Sequence, residues 1–146
     1  MYRGVIIYAP AVEPMEQLVH RLRDCFDRER FKVKVLTADQ ASIPDLTVAD
    51  LFLLGSLPEG KLPIHSHFTE ILRALRGITL AGRVGGIFTV DSEPTLTAFS
   101  HALQDCELVL SDGNFRNITD VRSESTGLSE WIAGLTRQLE SHARGR

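Results

Sequence analysis

The feature that most restricts what this chain can fold into is the alternation of short apolar runs with segments of helical periodicity. The runs at residues 5–8, 49–55 and 84–90 are nearly continuous in apolar side chains, which is typical of strands covered on both faces of a sheet. Residues 31–36 instead alternate apolar and basic side chains, as a half-exposed strand at a sheet edge does. A fifth strand is predicted at residues 108–110.

Apolar residues spaced three and four positions apart predict the helices between these strands. The predicted helical stripes cover residues 15–26, 68–75, 96–106 and 128–139. Residues 37–47, which include Pro44, are predicted to form a short turn of helix at most. Residues 56–66 and 111–126 contain many polar residues, glycines or prolines, and they are predicted to be loops.

Strands that alternate with helices along a chain form a parallel sheet with helices on both faces. Right-handed crossovers and an edge position for residues 31–36 favour the strand order 2-1-3-4-5 in a three-layer α/β sandwich. At 146 residues the whole chain, 1–146, is predicted to be a single domain. Any binding site is expected beyond the carboxyl ends of strands one and three, beside strand four.

The composition limits which partners and compartments fit the chain. A net charge of -3 and a pI near 5.9 argue against nucleic acid and membrane surfaces as partners, since both need a basic face. No apolar run reaches the roughly 18 residues of a membrane span, and residues 5–8 are too short for the core of a secretory leader. We therefore expect a cytoplasmic protein. Cys25 and Cys106 form no Cys-x-x-Cys motif and are predicted to be isolated core thiols.

Four segments, which follow one another with the right gaps, resemble the short-chain flavodoxins. They are YAPAVEPMEQL at residues 8–18, ADLFLLGSLPEG at residues 49–60, LAGRVGGIF at residues 80–88, and Trp131 in the last helix. The resemblance covers nearly the whole chain. It implies a flavodoxin-like fold with a five-stranded parallel sheet, and it implies FMN as a cofactor and low-potential electron transfer as a function.

The first loop departs from the pattern that the resemblance implies. In flavodoxins a segment of the form Ser/Thr-x-Thr-Gly-x-Thr wraps the FMN phosphate with hydroxyl and amide groups. The matching positions here are Pro10, Ala11, Val12, Glu13, Pro14 and Met15, which contain no hydroxyl. Both prolines lack an amide donor. Glu13 stands where the loop glycine should be and adds a carboxylate. A carboxylate about 5 Å from a phosphate costs on the order of 3 kcal/mol per unit of phosphate charge at an effective dielectric constant of 20.

The next two loops also lack what the resemblance implies, because aromatic rings should cover both faces of the flavin. The second loop offers Leu57 and Pro58, and the third offers Asp91, Ser92 and Glu93. The positions of a degenerate or altered FMN site are therefore Ala9, Pro10, Ala11, Val12, Glu13, Pro14, Met15, Ser56, Leu57, Pro58, Asp91, Ser92 and Glu93.

Two interpretations follow from these departures. The main one is a flavodoxin-like domain that has lost ordinary FMN binding, has no cofactor, and serves as a binding or regulatory module. Its partner, a protein or a small molecule, is expected at the carboxyl-end rim of the sheet. The alternative is a divergent electron carrier that binds FMN through the N-terminus of the first helix alone. In both interpretations no residue is predicted to be catalytic or to bind a metal.

Other side chains at the predicted loops carry weaker signals. Ser56 lacks the second glycine of a nucleophile elbow, so its hydroxyl is predicted to make a loop hydrogen bond. His65 and His67 form a local pair without a nearby cysteine or carboxylate in sequence, and they are predicted to face solvent.

Acidic residues are expected to converge at the rim: Glu13, Glu59, Asp91 and Glu93. One interpretation is an acidic docking rim that attracts a basic partner. The other, which we favour at this stage, is that helix starts simply prefer Asp and Glu for capping and dipole reasons.

Overall fold

A computed structural model describes residues 1–121 and 125–144 of the chain. Its strands are β1 (Tyr2–Ala9), β2 (Phe31–Thr37), β3 (Leu51–Ser56), β4 (Val84–Val90) and β5 (Phe115–Ile118). Its α-helices are α1 (Met15–Asp24), α2 (Ile43–Val48), α3 (Thr69–Gly77), α4 (Glu93–Ala102) and α5 (Ser125–Arg144). In the described residues, no helix combines the length and apolar character needed to cross a bilayer.

The sheet has the predicted topology. All five strands are parallel, in the order β2-β1-β3-β4-β5, which confirms the flavodoxin-like three-layer arrangement. β2 lies at the edge with partly exposed side chains, whereas every residue of β3 is buried. The alternating pattern of residues 31–36 and the continuous apolar run of residues 49–55 therefore predicted the positions of both strands in the sheet.

Two apolar layers cover the faces of the sheet, and neighbouring residues of one strand supply opposite layers. Ile6 packs with side chains of α1 and α5, while Ile7 packs with side chains of α3 and α4. Both side chains have no exposed surface. Complete burial of such a side chain contributes about 1.5–3 kcal/mol, so both layers stabilise the sheet. The sheet in turn holds the loops at its carboxyl ends in position.

The prediction for the fifth strand is wrong. Residues 108–110 pair with β4 through one isolated bridge, from Val109 to Val84, and the strand itself runs later, at Phe115–Ile118. A 3₁₀ turn separates the two segments, and its Asn114 is fully buried. The side-chain amide of Asn114 donates a hydrogen bond to the Gly85 carbonyl at 2.7 Å, so this buried polar residue has a partner within the chain.

The predicted loop at residues 111–126 thus contains β5, and its residues 122–124 lie outside the described residues. The segment before β3 also forms slightly more helix than the single turn expected. Ser42 and Asp45 form a capping box at the start of α2, in which Asp45 accepts hydrogen bonds from both the amide and the hydroxyl of Ser42. This Ser-x-x-Asp spacing was a usable signal in the sequence.

Gly55 is required by the packing of β3 against β4. It lies opposite Phe88 in the register, and a Cβ atom built on Gly55 would overlap the ring of Phe88. Gly77, at the end of α3, has no atom within 4 Å of the corresponding position and no positive φ. The two glycines therefore respond in opposite ways to an added methyl group.

We predict that Gly55→Ala lowers the free energy of unfolding by about 1–3 kcal/mol, because overpacking must displace a buried ring. Gly77→Ala, the matched control, should leave stability unchanged or raise it by about 0.4–1 kcal/mol through the unfolded chain. Urea denaturation followed by circular dichroism measures both changes. Equal effects of the two substitutions would contradict this description of the β3–β4 contact.

Candidate functional site

The candidate site lies at the carboxyl ends of β1, β3 and β4, where three loops meet. We call them the first loop (residues 10–14), the second loop (residues 57–65) and the third loop (residues 91 and 92). Ala9 and Ser56 are direct register partners at the ends of their strands, and both are buried. The Leu57 amide donates to the Ala9 carbonyl at 3.0 Å, so the first two loops start side by side.

The first loop places a carboxylate at the start of α1. Ala11, Val12 and Glu13 are exposed. Glu13 Oε2 accepts a hydrogen bond from the Gln17 amide at 3.2 Å. A helix N-terminus attracts anions through its free amides and its dipole, and here the chain supplies the anion itself. Pro14 forms the N-cap position and contributes no amide donor.

Two of the predicted site residues lie below the surface of the site. Met15 has no exposed surface and belongs to the apolar layer under α1, together with Tyr8. Ala9 is 1% exposed. These two side chains shape the site from beneath, and a ligand on the rim would contact the exposed residues of the first loop instead.

The second loop is held by hydrogen bonds within the chain. The Ser56 hydroxyl accepts from the His65 amide at 2.9 Å and donates to the Leu57 carbonyl at 2.8 Å, which confirms its predicted role in a loop hydrogen bond. Glu59 and Leu62 pair through two reciprocal backbone bonds of 2.9 Å. Both ends of the loop are therefore tied to the end of β3.

The prediction that both loop histidines face solvent is wrong for His65. Its side chain is 11% exposed, and its Nε2 lies 3.0 Å from Glu59 Oε2. Its Nδ1 accepts the His67 amide at 3.2 Å, so the ring caps the 3₁₀ turn at Ser66–Phe68. A hydrogen bond from Ser66 holds the pKa of Glu59 below its usual range. In the described part of the chain, no group of three or more potential ligand side chains could hold a metal ion.

The third loop is tied to β5 and α4. Asp91 has a φ of 50°, a left-handed conformation that Asp tolerates better than most residues, and its amide donates to the Ile118 carbonyl. The Ser92 amide donates to Asn117 Oδ1 at 3.2 Å, and Asn117 Nδ2 donates to Glu93 Oε1 at 3.1 Å. Asn117, which no predicted motif included, thus bonds both Ser92 and Glu93.

The second and third loops are also linked through the start of α4. Thr95, in the first turn of α4, is fully buried, and its hydroxyl donates to the Pro63 carbonyl at 2.6 Å. The Ser92 hydroxyl lies 2.8 Å from the Thr95 hydroxyl. Thr89 donates its hydroxyl to the Ser56 carbonyl at 2.7 Å. Hydroxyl groups are thus present near the rim, but the chain itself uses them.

A groove of about 760 Å³ opens beside α1, between the third loop and the residues that follow β5. Its lining carries four carboxylates, on Glu13, Asp24, Asp91 and Asp120, together with His20 and Arg21. The expected convergence of acidic residues is thus found for Glu13 and Asp91, whereas Glu59 and Glu93 do not line this groove. Asp120 was missed because the fifth strand, and therefore its carboxyl end, was predicted too early in the chain.

The residues at the three loops do not fit FMN in the manner that the resemblance implies. The first loop presents no hydroxyl and carries a carboxylate that already bonds the start of α1. The Ser56 and Thr95 hydroxyls are buried and paired within the chain. The three loops contain one aromatic ring, the imidazole of His65, which packs against Glu59 and His67. The first loop therefore lacks the hydroxyls that the resemblance implies for FMN, and no Trp, Tyr or Phe stands in the second or third loop.

Tyr8 links the end of β1 to α1 beneath the first loop. It is 6% exposed, and its hydroxyl donates to Glu16 Oε1 at 2.9 Å. Burial, and then the hydrogen bond and negative charge of Glu16, raise the pKa of Tyr8 to about 12. Because the neutral phenol is favoured in the folded chain, its contribution to stability is complete below the unfolded pKa, near 10, and is lost as pH rises toward 12.

We predict that the free energy of unfolding falls by about 2–3 kcal/mol between pH 10 and pH 12 through Tyr8, since one pKa unit corresponds to about 1.4 kcal/mol. Tyr8→Phe should remove this component, and Tyr2→Phe is the matched control. Ultraviolet titration of the phenolate in the two variants measures each pKa. A Tyr8 phenol that titrates near its ordinary value of 10 would contradict the burial and the Glu16 contact.

Known structures resemble this one closely in fold and weakly in sequence. No family model matches the chain, and no curated protein has a significantly similar sequence. A short-chain flavodoxin associated with a non-canonical PDU bacterial microcompartment superposes with a TM-score of 0.80 at 16% identity, covering 95% of this chain and 99% of that one. Oxidised flavodoxin 1 from Bacillus cereus gives 0.73 at 16% identity, with 90% and 97% covered.

A larger protein contains the same unit. Rubredoxin oxygen:oxidoreductase from Desulfovibrio gigas superposes with a TM-score of 0.81 at 17% identity, over 97% of this chain and 37% of that chain. Identities this low establish the architecture alone. The resemblance to short-chain flavodoxins is therefore confirmed for the fold: this chain has the flavodoxin fold, with the strand order 2-1-3-4-5.

Proposed function

We propose that this protein is a flavodoxin-fold binding module that does not hold FMN in the ordinary way and works without a cofactor. One observation carries the proposal: the Glu13 carboxylate bonds the Gln17 amide at the start of α1, in a loop bounded by two prolines. The place where a phosphate would be held thus already contains a fixed negative group. No catalytic group is assigned to the rim.

The energies involved favour exclusion of a phosphate. A nanomolar site corresponds to about 12 kcal/mol of binding free energy. Each lost charge-assisted hydrogen bond removes roughly 1.5–3 kcal/mol, and the charge on Glu13 adds repulsion. A total loss of about 7 kcal/mol leaves a dissociation constant near 0.1 mM.

The alternative function is a divergent FMN-binding electron carrier. The structures that share this fold are described as flavodoxins and as a flavodiiron protein, and this similarity supports the alternative more directly than it supports loss of the cofactor. In that case the phosphate would have to bind at amides of α1 after Glu13 moves away. The chemistry of the first loop is what favours the main proposal.

We predict that the protein as isolated is colourless and that it quenches FMN fluorescence only with a dissociation constant above about 0.1 mM. Glu13→Gln should strengthen this weak binding at least about fourfold, since a unit charge about 5 Å away costs about 0.8 kcal/mol even in water. Glu29→Gln makes the same charge change at the amino end of β2, on the side of the sheet away from the three loops, and it should leave FMN binding unchanged.

Micromolar or tighter binding of FMN by the unaltered protein would overturn the main proposal and support the electron carrier. An identical response of Glu13→Gln and Glu29→Gln would show that the Glu13 carboxylate is not what repels the phosphate.

We propose that the partner of this rim presents a basic surface. The groove beside α1 carries Glu13, Asp24, Asp91 and Asp120, and two large apolar side chains of the loops, Val12 and Leu62, are about half exposed. Exposed carboxylates suit a partner with lysines or arginines, and the exposed Val12 next to Glu13 in the chain suits an apolar contact on that partner. The preference of helix starts for acidic residues does not explain Asp120. This residue follows β5 and does not immediately precede any helix in the described part of the chain.

A hexalysine peptide tests the charge of the rim without a known partner. We predict amide shifts in nuclear magnetic resonance spectra that concentrate near Glu13, Asp91 and Asp120 and disappear in about 0.5 M salt, because salt screens exposed charges. Glu13→Gln with Asp91→Asn should weaken the shifts. The control pair, Asp27→Asn with Glu29→Gln, changes the same charge beyond the other end of α1. Shifts spread evenly over the surface would contradict a docking rim.

A further inference from the structure

We propose that the hydrogen bond from Thr95 to Pro63 is a latch that closes the space between the second and third loops to flat aromatic ligands. The inference rests on the proposed cofactor-free function, but it concerns a different part of the rim from the first loop. β3 and β4 are neighbours, so the loops that follow them lie side by side. In this chain the start of α4, which follows the third loop, touches the second loop directly, with 2.6 Å between the Thr95 hydroxyl and the Pro63 carbonyl oxygen.

A ring inserted between these loops would have to separate them. Two stacked contacts of about 3.5 Å each require about 7 Å between the groups on either side of the ring. The 2.6 Å bond is incompatible with that separation at the point where it forms. A ring that enters at this point therefore has to break the bond and expose the Thr95 hydroxyl, which is otherwise fully buried.

Further contacts hold the loop in the closed position. The Ser56 hydroxyl accepts the His65 amide, so the end of the second loop is fixed to the end of β3. The reciprocal pair of Glu59 and Leu62 keeps the middle of the loop compact. Thr95 is held in turn by the Ser92 hydroxyl, which is 8% exposed. The Thr95 bond is the direct side-chain tie from α4 to this loop, and its removal leaves the other contacts in place.

Thr95→Val tests the latch, because valine keeps the shape of threonine and removes the donor. Thr97→Val is the matched control, since Thr97 lies on the same helix and is exposed. Riboflavin is the probe, because it has the flat ring of a flavin and no phosphate, and it therefore does not report on the first loop. Equilibrium dialysis with protein in excess measures the ratio of bound to free riboflavin even when binding is weak.

We expect Thr95→Val to raise riboflavin affinity about fivefold, the effect of one ordinary hydrogen bond on an equilibrium. Hydrogen exchange of the His65 and Leu62 amides should become faster by a similar factor in this variant. Thr97→Val and the hydroxyl-retaining Thr95→Ser should behave as the unaltered protein. If Thr95→Val does not fold, Thr95→Ala removes the same donor and should give the same two changes.

Unchanged amide exchange in the variant would show that the bond does not hold the loop. Faster exchange with unchanged riboflavin affinity would show that the loop does not exclude rings. Either result overturns the latch. Failure of the latch is distinct from failure of the proposed function, which is decided by FMN binding to the unaltered protein, where Thr95 is intact.

Discussion

Burial of the central strands on both faces is the constraint on which the rest of this structure depends. β1 and β3 are covered by apolar layers on either side, and their register brings Ala9 and Ser56 together at one edge. Side chains in the layers cannot vary without a cost of several kcal/mol each, such as about 2–5 kcal/mol for a truncated leucine. Chemical change is therefore confined to the loops at the carboxyl ends, where this chain departs from the flavodoxin pattern.

The sequence predicted the fold well wherever periodicity was strong, and it failed where a polar residue is buried. The continuous run of residues 49–55 and the alternating run of residues 31–36 set the strand order. β5 was misplaced because Asn114 and its neighbours have the composition of a loop. Their buried hydrogen bonds to β4 and α5 involve partners far away in sequence, among them Gly85 and Gln138.

The site was predictable in its chemistry and not in its contacts. The absence of hydroxyls in the first loop can be read directly from the sequence, and so can Glu13. Three contacts depend on loop geometry, which the sequence does not show. Glu13 bonds the Gln17 amide, the His65 ring lies against Glu59, and Thr95 reaches Pro63. Asp120 lines the groove because β5 ends at Ile118, later in the chain than the sequence predicted.

The two obstacles to a flavin that we propose involve different elements of the chain. Glu13 acts at the start of α1 through charge, while Thr95 acts at the start of α4 by keeping two loops in contact. Groups that share no partner usually contribute independently to a free energy. On our proposal, relief of one obstacle therefore leaves the other in force. On the same proposal, a basic partner can bind the acidic groove beside α1 while the second loop stays closed.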